Sequence, residues 1–274
     1  MPGNGAGMIS PIRAAVDPVA WYQSLTHKTL DPWQVSALQQ KCKRLCLNIS
    51  RQAGKTEFMV AYLAHTCAFT PNALCLAVSP SLRQSGELFR RVHDLLVTAG
   101  ETFTEETKTS LTLKATKSRM VSLPGTEGTI RGFAGVTVLA IDEMARIPSG
   151  LFESVLPMVS VSDGAIICAS TPFGPSGSFY EIWQDPTWTH VKVTADECPR
   201  IKSDWLLAER ARMGLFFEQE FYCQFLASDT SIFAFSDVNA MFGEPDFSYA
   251  APAPISEERQ GTGIRVSSFR SKIS

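Results

Sequence analysis

Nine residues carry the densest chemistry in this chain. Ile49 to Glu57 reads ISRQAGKTE and closes on Gly-Lys-Thr, the end of a phosphate-binding loop. The common form of that loop, G-x-x-x-x-G-K-[ST], has glycine where this chain has Ile49. In such a loop the backbone of Ser50, Arg51, Gln52, Ala53 and Gly54 cradles an anion, and the dipole of the following helix adds favourable charge. Gly54 lets the backbone approach phosphates, Lys55 can reach the β- and γ-phosphates, and the Thr56 hydroxyl can ligate Mg²⁺. The tripeptide alone also suits an ordinary strand–turn–helix corner.

A second cluster stands at the end of VTVLAIDE, residues 136–143. Asp142 can hold Mg²⁺ directly or through water, and Glu143 can act as general base toward an attacking water. The bland alternative is an acidic strand end that caps the next helix. CASTP, residues 168–172, places Ser170, Thr171 and Pro172 at another strand end. The two hydroxyls could sense a γ-phosphate, although Ser/Thr-Pro turns are common. Gln34, in DPWQ, carries a carboxamide whose donor–acceptor pair can read adenine; by itself it reads rather as a solvated helix residue.

These groups act together only if the right elements carry them. LCLNI (45–49) is a short apolar run, hence a buried strand, and KTEFMVAYLAHTCAF continues as a helix, so the loop joins strand to helix. ALCLAVSP (73–80), VTVLAIDE and GAIICASTP (164–172) read as further buried strands, and WTHVKVTA as a late one. VAWYQSL begins a helix. DPWQVSALQQKCKR follows as another, with Asp31 as cap and Pro32 in the first turn. SLRQSGELFRRVHDLLVTAG has helical spacing and closes on Gly100. SDWLLAERARMGLFFEQEFYCQFL reads as one helix capped by Ser203. TSLTLKATKSRMVSLPG alternates as a hairpin or edge strands do, and ETFTEETK reads as an acidic turn. Strands alternating with helices predict an α/β fold with a mostly parallel sheet covered on both faces.

Composition narrows the classes. Hydrophobic residues make up 45% of the 274 and charged residues 19%, which supports a sizeable core. With a net charge of -2 there is no overall basic field, so a nucleic-acid partner would need a local patch. Seven cysteines without a C-x-x-C pair read as reduced packing thiols, and no zinc site through Cys or His is expected. The first residues lack the apolar core of a signal peptide, and no apolar run reaches membrane-spanning length, so a cytoplasmic protein without membrane partners is expected.

Together, LNISRQAGKTEF, IRGFAGVTVLAIDEMARIP, GAIICASTPFGPSGSFYEIW and FEQEFYCQFL resemble the ATPase domain of a tailed-phage terminase large subunit, over roughly residues 20–235. That family drives double-stranded DNA into a procapsid. The resemblance implies a P-loop NTPase of the additional-strand, conserved-glutamate type, with five or six central parallel strands. It also implies ATP and Mg²⁺, and a homo-oligomeric ring on the portal protein with a small terminase subunit as partner. By position, Arg51 would stabilise charge on the γ-phosphoryl group within its own subunit. Asp142 and Glu143 would be metal holder and catalytic base, Ser170, Thr171 and Pro172 a coupling motif, and Gln34 the adenine reader. Arg131 is similar in place to an arginine presented to a neighbouring subunit's nucleotide; a surface pairing with an acid fits it equally.

DNA contact is written less sharply. Arg83, Arg90 and Arg91 lie in one helical segment, and phosphate contacts of that kind position a duplex without reading its sequence. A helicase-type ATPase shares much of this motif logic but would need a second motor domain, and a silent ring-assembly module would not need Lys55, Thr56, Asp142 and Glu143. Residues 1–17 read as a loose arm, 18–235 as the ATPase domain and 236–274 as a linker or disordered tail. The tail's acids, Asp237, Glu244, Asp246, Glu257 and Glu258, have no strands to fix them, so a two-metal nuclease centre is not expected from this chain.

Overall fold

A computed structural model of the chain describes residues 9–125 and 132–226. Its strands are β1 (Arg44–Ile49), β2 (Leu74–Ser79), β3 (Phe103–Glu106), β4 (Ser110–Leu113), β5 (Arg119–Pro124), β6 (Val138–Asp142), β7 (Ala165–Ser170) and β8 (Thr189–Val193). They form one sheet in the order β3-β4-β5-β2-β6-β7-β1-β8. β5, β2, β6, β7, β1 and β8 run parallel, which meets the expected five or six, and β4 and β3 add an antiparallel edge. β7 is inserted between β1 and β6, the extra central strand of the additional-strand arrangement.

The helices are α1 (Pro11–Val16), α2 (Pro18–Thr26), α3 (Pro32–Gln39), α4 (Lys55–Phe69), α5 (Leu82–Thr98), α6 (Ser149–Val155), α7 (Ser178–Gln184), α8 (Ser203–Met213) and α9 (Leu215–Tyr222). Both faces of the inner parallel strands β1, β2, β6 and β7 are buried, which is why those strands read as unbroken apolar runs. Leu45, Leu47 and Ile49 of β1, with Ala77, Ala140 and Ile167, pack under α2, α4 and α5. The intervening Cys46, Leu76, Ile141 and Cys168 pack on the other side with α6 and α7.

Several expectations need correction. Residues 11–16 of the expected arm are the helix α1, with Ser10 Oγ accepting from Arg13 N at 3.3 Å. Ala14 is buried, and its carbonyl lies 3.0 Å from His65 Nε2 on α4. That contact holds the segment onto the domain. The acidic ETFTEETK stretch holds β3, whose last three residues are exposed at the sheet edge. Charge on an edge strand deters pairing with another chain, and it also hides the strand from a hydrophobic reading. The helix expected after Lys202 is broken at Gly214 (φ 57°, ψ -131°) into α8 and α9, and Lys202 rather than Ser203 sits at the cap. α3 stops at Gln39, since the chain turns through Lys41 (φ 47°) before entering β1. Residues 1–8 and 227–274, with the readings placed on them, lie outside the described residues. No helix among the described residues is long and apolar enough to cross a membrane.

Candidate functional site

Adjacent parallel strands bring their carboxyl ends to one rim, where ligands bind in open α/β sheets. β1 delivers the loop, β6 delivers Asp142 and Glu143, and β7 between them delivers Ser170 and Thr171. Asn48 pairs in register with Ser170, and Asp142 with Ala169, so all three strand ends stand level.

The loop needs little glycine. Ile49 is fully buried in β1 and has no positive φ, so the strand end needs a core side chain rather than conformational freedom. The tight turn comes later, at Gln52 (φ 59°) and Gly54 (φ 94°). Gly54 is doubly constrained, because a Cβ there would lie 2.6 Å from Gln34 Nε2. α4 then starts at Lys55, whose side chain is only 8% exposed. Its ammonium crosses back to donate to Ile49 O at 3.0 Å and stands 4.0 Å from Glu143 Oε1. Thr56 follows, half-buried on α4.

Asp142 is buried, and its Oδ1 accepts from Glu143 N at 3.0 Å. Glu143 itself sits in the left-handed region (φ 51°, ψ 42°), an uncommon conformation for a side-chain-bearing residue that turns its carboxylate toward Lys55. Burial pushes the Asp142 carboxyl up from its ordinary 3.8 to about 6; the Glu143 carboxylate adds to this, while Lys55 and the Glu143 N–H oppose it. Ser170 Oγ accepts from Ala145 N at 3.2 Å, tying the end of β7 to the turn that follows the acids. Thr171 is buried beside it.

The raised Asp142 pKa has a measurable consequence in the ligand-free protein. The folded state holds a proton on this carboxyl up to about pH 6. The unfolded chain releases it near pH ~3.9. Between those values the folded state binds more protons, so stability from this group falls as pH rises through the window and is lost above it. Asp142→Asn keeps the shape without the charge. It should raise the unfolding free energy at pH 8 by about 1–3 kcal/mol and change little near pH 4. Denaturant melts at the two pH values check this, and an equal effect at both, or a loss at pH 8, contradicts it.

The structure places Gln34 against the loop. It is 3% exposed, with Oε1 accepting from Asp31 N at 2.7 Å and Nε2 donating to Gly54 O at 3.0 Å. Each end of the amide keeps one further hydrogen-bonding position. Arg51 is engaged with α9. Its Nε donates to Glu220 Oε2 on α9 at 2.5 Å, and its backbone N donates to Glu220 O at 3.0 Å. Arg146 shares Glu220 at 3.4 Å and covers the Phe173 ring at 4.8 Å. Asn48 Nδ2 donates to Cys223 O at 3.1 Å, so the C-terminal end of α9 is tied both to the loop and to β1.

Sequence reasoning missed Glu220, Arg146, Asp31 as a charge partner, and Arg200, which grips Asp31 through both guanidinium nitrogens at 2.6 and 2.7 Å. Glu220 left one signal, an acid flanked by the apolar Phe217 and Phe221 that face the core. Arg200 left none.

The three helix arginines separate. Arg83 is exposed, and Arg90 is exposed between Glu87 (2.7 Å) and Asp94 (3.3 Å). Arg91 instead pairs with Glu57, which also takes Lys28 at 2.8 Å and the Tyr22 hydroxyl. The Arg91 charge is thus taken up in binding α5 to α4. Arg131 lies outside the described residues.

The family model for "Terminase large subunit, T4likevirus-type, N-terminal" matches residues 46–240. No curated protein matches the chain. Among solved structures it is similar to the large terminase ATPase domain of Thermus phage P74-26, at 21% identity and TM-score 0.68, over 77% of this chain and 99% of that one. It is similar to the large terminase of bacteriophage HK97, at 15% identity and TM-score 0.63, over 77% of this chain and 55% of that one. A third is the large terminase of a thermophilic bacteriophage in complex with ATP-gamma-S, at 16% identity and TM-score 0.60, over 72% of this chain and 53% of that one. The chain therefore spans about half the length of the longer terminases it matches.

Proposed function

The chain belongs to the phage terminase large subunits, as their N-terminal part, and from that premise we propose that it binds and hydrolyses ATP to drive double-stranded DNA into a procapsid. The observation that carries this reading is the meeting of Lys55 and Glu143, 4.0 Å apart, across strands that also carry Asp142 and Ser170. A lysine at the start of a helix and two acids at a neighbouring strand end form the arrangement needed to hold a triphosphate and activate a water.

In this reading the backbone of Ser50–Gly54 and the Lys55 ammonium bind the β- and γ-phosphates. Glu143 takes a proton from water as the water oxygen bonds to the γ-phosphorus and the bond to the β-phosphate oxygen breaks, releasing ADP. Arg51 stabilises the charge that develops on the transferred group, and to do so its guanidinium leaves Glu220. Thr56 and Asp142 are hard oxygen donors of the kind Mg²⁺ takes, and a buried carboxyl disfavoured as an anion fits a place beside a cation. When bound there, Mg²⁺ supplies charge neutralisation for the phosphate oxygens. Ser170, Thr171 and Pro172 pass the change onward, supported by the Ser170–Ala145 bond that joins them to the acid turn.

The proposed partners are double-stranded DNA, the portal protein, a small terminase subunit and further copies of this chain in a ring. Arg83 and Arg90, both exposed on α5, would touch DNA phosphates. Steady-state phosphate release with and without DNA and procapsids tests the whole reading. A motor shows turnover stimulated by both. Stimulation by DNA alone fits a helicase-type ATPase, and no turnover fits a silent ring module.

Arg131 carries a separate expectation. If it serves a neighbour's nucleotide, Arg131→Ala and Glu143→Gln subunits, each inactive alone, regain some hydrolysis when mixed in an assembled ring. No recovery at any ratio, with assembly confirmed, counts against a role in trans.

A further inference from the structure

Arg200, Asp31 and Gln34 form a continuous polar chain that ends on the phosphate loop. Arg200 lies in the segment between β8 and α8, and its guanidinium holds both Asp31 oxygens at 2.6 and 2.7 Å. Asp31 stands at the N-cap of α3, where its side chain completes a capping box with Gln34 while both of its oxygens also accept from Arg200. Asp31 N donates to Gln34 Oε1, and Gln34 Nε2 donates to Gly54 O. Gly54 O is also the acceptor for Phe58 N, the first hydrogen bond of α4. Gln34 therefore grips the atom where the loop becomes helix. Its amide fills the space that a side chain at Gly54 would need.

The same segment touches the loop a second time, where Cys198 Sγ lies 4.0 Å from Gln52 O. Gln52 and Gly54 are the two loop residues with positive φ, so both turning points have an outside support. Resting on the nucleotide reading above, we propose that Arg200 is a positioning residue. Through Asp31 and Gln34 it fixes the curvature of the phosphate loop, and Gln34 acts first as a brace on the loop and not as a reader of the base.

Charge supports this. Asp31 is buried, its side chain 8% exposed, while Arg200 is half exposed, so the pair is anchored on the Asp31 side and Arg200 can be altered without opening the core. Two parallel charge-assisted bonds fix direction as well as distance, which a single-point ammonium cannot do. The brace acts on the phosphates, which every ligand with a triphosphate shares. A base reader acts only on the nucleobase.

The experiment measures binding of ATP, GTP and inorganic tripolyphosphate to the full chain, as wild type, Arg200→Ala, Arg200→Lys, Asp31→Asn and Gln34→Ala, with a thermal melt of each. The proposal expects Arg200→Ala and Gln34→Ala to weaken all three ligands by a common factor of about tenfold. The ATP-to-GTP ratio stays at its wild-type value, and Arg200→Lys falls between Arg200→Ala and wild type. Should Arg200→Ala fail to fold, Arg200→Lys and Asp31→Asn carry the same readout. Loss of the ATP-to-GTP ratio with tripolyphosphate binding retained overturns the proposal, because Gln34 then reads the base. Unchanged binding of all three with only a lowered melting temperature overturns it as well. A folded wild type that binds neither ATP nor tripolyphosphate overturns the nucleotide reading and this inference together.

Discussion

Lys55→Ala lowers ATP hydrolysis by ~10²-fold or more, the scale at which a single preorganised charge contact acts in a transition state. The fold survives the change. Lys55 is buried by its neighbours, yet its ammonium makes one hydrogen bond, to Ile49 O, and one long ionic contact, to Glu143. Losing that bond costs about 1 kcal/mol. The apolar packing of α4 rests on Phe58, Met59, Ala61 and Leu63, which the substitution leaves alone. The loss of activity is therefore far larger than the loss of stability. Phosphate release and a denaturant melt on the same preparation separate the two, and near-normal turnover in folded Lys55→Ala removes the loop from the mechanism.

Glu143→Gln binds ATP and barely turns it over. General bases contribute roughly 10²–10⁴-fold, and the amide keeps the shape of the carboxylate without its basicity. The left-handed backbone at Glu143 is unaffected, since glutamine meets the same constraint there. Removing the charge also relieves the repulsion that helps raise the Asp142 carboxyl. Affinity for ATP is accordingly retained or improved while turnover falls. The opposite split, with binding lost and turnover at saturation intact, makes Glu143 a binding or structural group.

Much of this site was readable because its parts are local. β1, the loop and α4 form one unbroken stretch, Arg44 to Phe69, in which apolar run, turn and helix follow in order. Asp142 and Glu143 sit at the end of another apolar run, and parallel pairing brings the two ends together. What stayed hidden depends on contacts distant in sequence. Arg51 meets Glu220, and Asp31 meets Arg200, each across 169 residues. No local pattern marks either pair. Arg91 illustrates the reverse error: membership of the same helical segment grouped it with Arg83 and Arg90, and only the packing of α5 on α4 shows that it belongs to Glu57. The break at Gly214 and the edge strand β3 were missed for local reasons, a helical run that continued past a glycine and a strand written in acids.

A structure of the full chain with a non-hydrolysable ATP analogue and Mg²⁺ decides whether this loop holds the triphosphate. The triphosphate is expected along Ser50–Gly54, with Lys55 Nζ moved from Ile49 O onto phosphate oxygen, Arg51 released from Glu220, and Glu143 facing the γ-phosphate. A triphosphate bound elsewhere, or a Lys55 still bonded to Ile49 O beneath it, contradicts the account.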